Sequence, residues 1–351
     1  MTTAEKRIAK GEWVLVTGSN GYIGSHIVDV LLQEGYNVRG SVRAEKPWLN
    51  KLFDERHGKG RFETVIVPSL SSESAFNEAA KGVSGIVHVA SDVSFSTDAD
   101  SVISGVVAGT LLVLKSAAKN PSVKSVVLTS SSSALLIPQP NTEVEIDENT
   151  WNDSAVEAAY SKDTPEAFKP LVVYAASKTQ GEREGWKWYN ENKPHYTFNT
   201  VLPNLNTDDT VFAVLQMGPI LAPEIAGSTM NWTRNLLKGD EFFKAFPPQW
   251  FVDVRDDARL HVAALLDPKV KSQRIFAFAE PYNYTDIIAL LHKMRPNNTK
   301  LPTPAENEGR DLTIIKPREK AEQLLKSFFK VPGWVKLEDS LAAGIVGFDE
   351  E

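Results

Sequence analysis

The chain contains 351 residues, of which 42% are hydrophobic and 24% charged, with a formal net charge of −7 and no cysteine. These fractions are typical of a globular protein and not of a disordered one. The negative charge gives no support for a nucleic-acid partner, and the lack of cysteine excludes disulfides and thiolate metal sites. We find neither an apolar window of roughly 20 residues nor an apolar N-terminal signal region. We therefore expect a cytoplasmic protein with no membrane partner.

The first two-thirds of the chain alternates between strand-like and helix-like runs. Short runs rich in apolar and β-branched residues predict strands at Trp13–Thr17, Asn37–Val42, Thr64–Val67, Gly85–Ala90, Ser125–Thr129, Thr197–Leu202 and Arg274–Phe278. A helical spacing of apolar residues predicts helices at His26–Gln33, Ser74–Lys81 and Val102–Ala118. Strand–helix units of this length predict an α/β fold, a Rossmann-type doubly wound parallel sheet.

The composition shifts toward Pro, Asn and Trp after the sixth predicted strand. We expect residues 1–203, joined again by 251–280, to form the Rossmann domain. Residues 204–250 and 281–351 are expected to form a smaller C-terminal lobe that covers this domain and binds the substrate. We predict a lobe rather than an independent domain, because the hydrophobic periodicity is weak in these regions.

A glycine-rich segment, G-x-x-G-x-x-G, follows the first strand directly and opens the first helix. Glycines in this context allow a tight turn, a close approach of the backbone to a pyrophosphate, and close packing of helix against strand. The helix N-terminus adds a favourable position for the anion. A glycine-rich turn without a ligand is the alternative. We interpret the segment as a dinucleotide site with these candidate cofactor-binding residues: Gly18, Asn20, Gly21, Tyr22, Ile23 and Gly24.

The end of the second strand indicates which dinucleotide is bound. An NAD enzyme usually places an acid there to bind the ribose 2′-hydroxyl, but here Arg43 follows the strand directly, with Lys46 nearby. An arginine can pair with a 2′-phosphate through two hydrogen bonds, and a lysine adds a positive charge. Two solvated cations on a loop are the alternative. The missing acid favours NADPH as the cofactor.

Tyr174 and Lys178 are four residues apart, a spacing that places both side chains on one face of a helix. Reduction of a carbonyl by hydride leaves an alkoxide that must be protonated. A phenol is a reluctant acid–base group near neutral pH unless an ammonium such as that of Lys178 stabilises its phenolate. Ser131 follows the fifth strand, at the sheet edge where α/β folds bind ligands, and can hold the substrate oxygen. We predict that these three residues are catalytic.

The segments TGSNGYIG, HVASDVSF, VVLTSSSSA, YAASK, VLPN and FVDVRDDARLHVAAL together resemble the extended short-chain dehydrogenase/reductases. Within that group, the chain is most similar to fungal NADPH-dependent aldehyde (carbonyl) reductases, relatives of plant dihydroflavonol reductases. The resemblance covers nearly the whole chain. It implies the triad Ser131, Tyr174 and Lys178, the last two also touching the cofactor. It further implies cofactor contacts at Val89, Ala90, Ser91, Pro203 and Asn204.

The sequence departs from the family pattern at three places. Ser69-Leu70 stands where relatives often carry an acid near the adenine, and Val106 stands where many carry an asparagine that completes a proton relay. The longest departure is Leu205–Met217, beside the expected nicotinamide pocket. Four interpretations of this segment remain open. It is a lid, a rearranged pocket wall, a segment that disrupts the site, or a stretch of the translated gene that the functional protein lacks. Our hypothesis is that this segment narrows or blocks substrate access.

The sequence thus predicts NADPH-dependent reduction of an aldehyde or ketone, by a monomer or homodimer that needs no metal. A set of aromatic residues favours an apolar or aryl substrate: Phe95, Trp232, Phe243, Trp250 and Phe251. A nucleotide-sugar epimerase or dehydratase and a non-catalytic NADP-binding regulator are the alternatives.

Two further groups of polar residues are interpreted as structural. His88, in the fourth strand, is interpreted as a packed side chain and not as a catalytic base. Asp253, Asp256 and Asp257 lie close in sequence to His261 and could suggest a metal cluster. We interpret them instead as acids at a helix N-terminus with an arginine partner.

Overall fold

The computed structural model describes residues 6–203 and 216–348. Its strands, in chain order, are β1 (Trp13–Thr17), β2 (Asn37–Val42), β3 (Phe62–Ile66), β4 (Gly85–His88), β5 (Ser125–Thr129), β6 (Glu145–Ile146), β7 (Thr197–Pro203), β8 (Gln216–Met217), β9 (Gln249–Asp253), β10 (Arg274–Ala277), β11 (Glu280–Tyr282) and β12 (Ile314–Ile315). Its α-helices are α1 (Tyr22–Gln33), α2 (Pro47–His57), α3 (Glu73–Ala79), α4 (Ala99–Ala118), α5 (Asp153–Tyr160), α6 (Lys169–Asn192), α7 (Thr229–Leu236), α8 (Val254–Leu266), α9 (Tyr284–Met294), α10 (Arg318–Phe329) and α11 (Leu337–Gly344).

The main sheet has the strand order β10-β7-β5-β4-β1-β2-β3, and every neighbouring pair in it is parallel. The chain builds outward from β1 through β2 and β3, then returns to the other side of β1 with β4. The order therefore reverses between β1 and β4, where Thr17 lies in register with His88. In doubly wound sheets, ligands bind in the crevice at such a reversal. The predicted Rossmann-type fold is confirmed.

Each strand predicted from the sequence is present, with ends that differ by at most two residues. Helix α1 begins at Tyr22, four residues earlier than predicted, because the glycine loop leads straight into it. Helix α2 was missed. It buries only Leu49 and Phe53 among its residues, so its apolar periodicity is too weak to stand out from a loop.

Two small sheets, β11-β9-β8 and β12-β6, lie outside the main sheet, and all of their strands except β6 come from the C-terminal part of the chain. They share a core with the main sheet, since Met217 and Phe251 belong to the same apolar cluster as Val16 and Ile27. A shared core fits a lobe better than an independent domain. The boundaries predicted from composition stay a prediction.

Helix α4 is long and apolar enough to cross a membrane by length and composition, which the sequence analysis did not anticipate. In the structure 56% of its apolar window is buried inside the protein. One end packs on α6 through Val102 and Ile103, and the other end packs on the sheet through Val113 and Leu114. These are the contacts of a core helix.

Candidate active site

The glycine loop between β1 and α1 depends on the absence of side chains at two of its glycines. Gly18 has a φ of +66°, and a Cβ on it would lie 3.3 Å from the Cα of Ala90. A Cβ on Gly24 would lie 2.2 Å from the carbonyl oxygen of Gly18. No side chain caps the N-terminus of α1, whose N-cap residue is Gly21. The backbone N–H groups there are available to an anion, so these residues fit a dinucleotide.

The side chains of this loop have different surroundings. Asn20 is partly exposed, whereas Ile23 is buried in the core. The hydroxyl of Tyr22 donates a hydrogen bond to the carbonyl of Gly218 at 2.9 Å. The Tyr22 side chain therefore ties the loop to the C-terminal lobe, and a cofactor would meet only its backbone.

Thr17 joins the ends of β1 and β4 next to the loop. Its hydroxyl oxygen accepts hydrogen bonds from the backbone N–H groups of Val89 and Ala90, each at 3.0 Å. Both lone pairs are then used, so the hydroxyl proton is donated to Nδ1 of His88, 2.8 Å away. The imidazole must accept there and carries its own proton on Nε2. Burial, helped by the charge of Lys178, lowers the pKa of His88 to about 3.

His88 is thus a neutral, packed side chain, as the sequence analysis interpreted it. The backbone turn that it supports carries Ala90 and Ser91, two of the predicted cofactor contacts. The hydroxyl of Ser91 is buried and has no hydrogen-bond partner among the residues that the structure describes. A buried hydroxyl with no partner normally indicates a ligand or water, which fits a cofactor contact at this position.

Arg43 follows β2 and is exposed, and Lys46 is half-buried at the start of α2. The end of β2 lies against the glycine loop, because the backbone N–H and the hydroxyl of Ser19 both bond to the carbonyl of Ser41. Within the described ranges, neither cation forms an ion pair with a carboxylate. Both cations remain available to an anion beside the loop.

Helix α6 and the end of β5 bring the three predicted catalytic side chains together. Tyr174, Lys178 and Ser131 are all buried, with exposures of 4%, 7% and 1%. The hydroxyl of Ser131 accepts hydrogen bonds from the backbone N–H and the hydroxyl of Ser133, at 3.2 and 3.0 Å. The hydroxyl of Ser131 also lies near that of Tyr174 and acts to lower its pKa.

Phe95 covers the Tyr174 ring from one side. The two rings are stacked with centroids 5.1 Å apart and an interplanar angle of 23°. Phe95 adopts a φ of +51°, a conformation that is costly for a bulky residue. Strain of this kind persists only where the surrounding structure enforces it and is common at functional sites. Of the five aromatic residues proposed for a substrate pocket, Phe95 is the one that touches the triad.

The electrostatics of the triad differ from the simple expectation. Burial raises the pKa of Tyr174 well above its usual value, and the nearby hydroxyl of Ser131 opposes this in part. The ammonium of Lys178 lies 5.9 Å from the centroid of the Tyr174 ring and donates to the carbonyl of Thr129 at 3.3 Å. Burial lowers the pKa of Lys178 to about 8, against the raising effect of Glu182. The lowering of the Tyr174 pKa by Lys178 stays a prediction.

Two polar residues at the site were missed by sequence reasoning. Glu182 is 1% exposed and forms a buried ion pair with Arg274 of β10, at 2.8 Å. Glu182 lies one helical turn beyond Lys178, a spacing that could have singled it out. Arg274 offers no such local signal, because it is 92 residues away in the chain.

A narrow cavity that opens to solvent lies between α4, α6 and the sheet next to Lys178. One of the shorter departures from the family pattern, Val106, lines it together with His88 and Ser91. Leu70 also lines it, but its neighbour Ser69, the residue that replaces the family's acid, is exposed and is not part of the lining.

Several other predicted residues lie elsewhere. Pro203 ends β7, and Asn204 lies outside the described residues. Trp232, Phe243 and Phe251 pack in or against the shared core, so they do not form a substrate pocket with Phe95. Trp250 lines a second cavity of about 280 Å³ that begins beside Ser132.

Only the end of the Leu205–Met217 segment lies within the described residues. Residues 204–215 lie outside the described ranges. Gln216 and Met217 form β8, which pairs in parallel with Val252 and Asp253. Met217 is completely buried, so the end of the segment belongs to the core.

The acids of the FVDVRDD segment cap a helix and pair with arginines, as the sequence predicted. Asp253 is the N-cap of α8 and forms an ion pair with Arg255 at 2.7 Å. Asp256 pairs with Arg259 at 2.8 Å. His261 lies within hydrogen-bond distance of the hydroxyl of Thr129. The acids serve the start of the helix and its packing against β5.

Comparisons with known proteins agree with this geometry. The model of the NAD dependent epimerase/dehydratase family matches residues 14–206. The ketoreductase adrE of Penicillium rubens is 43% identical, with 98% of this chain and 99% of the relative covered. Aldehyde reductase 2 of Sporidiobolus salmonicolor is 38% identical, with 95% of each chain covered.

The fold is also that of a solved reductase. The structure of yeast methylglyoxal/isovaleraldehyde reductase Gre2, complexed with NADPH, superposes with a TM-score of 0.73 at 23% identity, over 95% of this chain and 96% of that one. The two relatives named above are a ketoreductase and an aldehyde reductase. The chain belongs to the NAD-dependent epimerase/dehydratase family, the extended short-chain dehydrogenase/reductases that its motifs predicted, and is one of the oxidoreductases in it.

Proposed function

We propose that the protein reduces an aldehyde or ketone to the alcohol with NADPH, and that Tyr174 donates the proton. The observation that carries this proposal is the convergence of Ser131, Tyr174 and Lys178 at the carboxyl edge of the sheet, on the same edge as the glycine loop. The hydride must reach the carbon of the carbonyl and the proton its oxygen, so the cofactor and the proton donor must lie at the same edge of the sheet.

The residues of the β1–β4 crevice suit NADPH, which supplies the hydride when bound. The Gly18–Gly24 loop would hold the pyrophosphate, and the backbone at Ala90 and the hydroxyl of Ser91 would meet the nucleotide beside it. Arg43, with Lys46, would pair with the 2′-phosphate. This preference for NADPH over NADH rests on the two cations at the end of β2, where an NAD enzyme usually carries an acid.

The triad residues divide the proton chemistry between them. Because burial raises the pKa of Tyr174, its resting form is the neutral phenol, which can donate a proton. Ser131 lies beside Tyr174 and would hold the carbonyl oxygen next to it. Lys178, still mostly protonated at neutral pH with a pKa of about 8, would stabilise the phenolate left after transfer.

The surroundings of Tyr174 support an apolar or aryl carbonyl as substrate. The ring of Phe95 lies directly on the donor ring, so the wall next to the hydroxyl is hydrocarbon. The names of the relatives, ketoreductase and aldehyde reductase, are compatible with either carbonyl class.

The substitution Tyr174→Phe tests the assignment of the proton donor. It removes the hydroxyl and keeps the ring that stacks on Phe95, so the fold and the NADPH affinity should stay near wild type. We expect kcat for an aryl aldehyde to fall at least about a hundredfold, the usual contribution of a general acid. NADPH binding, followed by nicotinamide fluorescence, is the control. Retained turnover by a variant that binds NADPH normally would rule out Tyr174 as the donor.

A further inference from the structure

We propose that Glu182 is a positioning residue of the reductase site, whose buried carboxylate keeps Lys178 positively charged while the cofactor and substrate are handled. The inference rests on the proposed function for the purpose of that charge. Its physical content, a coupling between two buried groups, can be measured without turnover.

The placement of Lys178 and Glu182 on α6 supports this role. Tyr174, Lys178 and Glu182 follow one another at four-residue intervals on α6, which puts all three on one face of the helix. Lys178 and Glu182 also line the same cavity. The carboxylate is therefore one turn behind the ammonium, on the side away from Tyr174.

The contacts of Glu182 hold its carboxylate in the ionised form. Its oxygens accept hydrogen bonds from Ser130 and Thr200, both at 2.7 Å, and from Trp186 at 3.2 Å. Arg274 donates two more, at 2.8 and 3.1 Å. Burial alone would raise the pKa of Glu182, but Arg274 and the hydroxyls lower it below its usual value.

The other groups that face Lys178 are His88, Tyr174 and Thr129. His88 faces it from β4 and is neutral, and Tyr174 is a protonated phenol. Thr129 offers only a carbonyl. Among the described residues, Glu182 is the ionised acid that acts on Lys178, and it opposes the burial that lowers the pKa of the lysine. Without it, a buried ammonium would lose its proton at lower pH.

A merely structural role for Glu182 makes a different prediction. The ion pair with Arg274 ties α6 to β10, so its removal would lower the melting temperature in either case. Only the positioning role requires the titration of Lys178 to move when the carboxylate is replaced. The titration midpoint of Lys178 therefore separates the two roles.

The experiment uses the full chain labelled with [13Cε]lysine, and follows the Lys178 resonance by NMR across pH. The resonance is assigned by its loss in Lys178→Met. In Glu182→Gln, which keeps the size and loses the charge, we expect the midpoint to fall by about one to two units, the effect of one charge a helical turn away. Ser130→Ala removes one hydrogen bond but no charge, so its midpoint should stay at the wild-type value.

The change in charge has a consequence for activity. With a midpoint about 1.5 units lower, the protonated fraction of Lys178 at pH 7 would drop from about nine-tenths to about a quarter. We expect the basic limb of the kcat/KM profile to move down by the same amount, and turnover at pH 7 to fall about fourfold.

If Glu182→Gln does not fold because Arg274 is left buried without a partner, the double variant Glu182→Gln, Arg274→Gln replaces it, since removing a buried pair as a unit costs less than breaking it. Loss of the guanidinium also changes the potential at Lys178, so the reference for the double variant is Arg274→Gln, and the midpoint should be lower in the double variant than in this reference. A Lys178 midpoint that is unchanged between a folded variant and its reference overturns the inference. A shifted midpoint in a protein that reduces no carbonyl would support the coupling and refute the proposed function instead.

Discussion

His88, next to the glycine loop, makes the free energy of unfolding depend on pH. His88 has a pKa of about 3 in the folded protein, against an ordinary value of 6.5, because burial and the charge of Lys178 disfavour its protonated form. Between these two values the unfolded chain binds a proton that the folded chain does not. The free energy of unfolding therefore falls as the pH drops below about 6.5, and goes on falling until about pH 3.

The size of this effect follows from the difference of 6.5 − 3 = 3.5 units. At about 1.4 kcal/mol per unit, His88 alone would remove about 2 kcal/mol by pH 5, about 4 kcal/mol by pH 3, and about 5 kcal/mol at still lower pH. His88→Asn isolates the contribution. The Oδ1 atom of asparagine can accept the Thr17 proton as Nδ1 does, but the amide does not titrate.

Urea unfolding at pH 7.5 and pH 5 measures the prediction, with tryptophan fluorescence as the readout. The variant should be less stable at pH 7.5, by about 1–3 kcal/mol, because it leaves a gap in the core. Between the two pH values it should lose about 2 kcal/mol less than the wild type. His195→Asn, at an exposed histidine, is the matched control and should follow the wild type. Equal losses in wild type and His88→Asn would refute a neutral, buried His88.

Two further substitutions test the cofactor site. Arg43→Ala should raise KM for NADPH about tenfold and leave KM for NADH unchanged, since charge-assisted hydrogen bonds to a phosphate are each worth about 1.5–3 kcal/mol. The control Lys51→Ala removes an exposed cation on α2 and should change neither KM. An equal effect of Arg43→Ala on both dinucleotides would contradict the role of Arg43. Gly24→Ala should abolish NADPH binding and lower Tm, because its Cβ would lie 2.2 Å from the carbonyl oxygen of Gly18. Gly105→Ala on α4 has nothing within 4 Å of its Cβ and should do neither, while normal NADPH affinity in Gly24→Ala would show that the glycine loop is not the binding site.

The parts of the site that could be predicted from sequence are those encoded by local patterns. The glycine loop is read from spacing within one strand–turn–helix unit, and Tyr174 and Lys178 from one helical turn. Ser131 needed a correctly predicted strand end. Each of these depends on residues close together in the chain, where periodicity and turn chemistry are informative.

The parts that were missed depend on contacts between distant segments. Arg274 meets Glu182 only because β10 joins the main sheet beside β7, which no local pattern reveals. Trp232 and Phe243 were grouped with Phe95 because they are aromatic, but their surroundings are set by packing in the shared core. Met217 looked like part of an added segment, and only its pairing in β8 shows that it is core.

The most direct experiment is a steady-state assay of nicotinamide oxidation with a panel of aryl aldehydes, α-keto esters and simple ketones, with NADPH and NADH in parallel. Turnover of at least one carbonyl class, with kcat/KM for NADPH well above that for NADH, is the expected result. Measurable NADPH binding without turnover of any carbonyl would contradict the proposed reductase, and would leave a cofactor-binding protein with a different task.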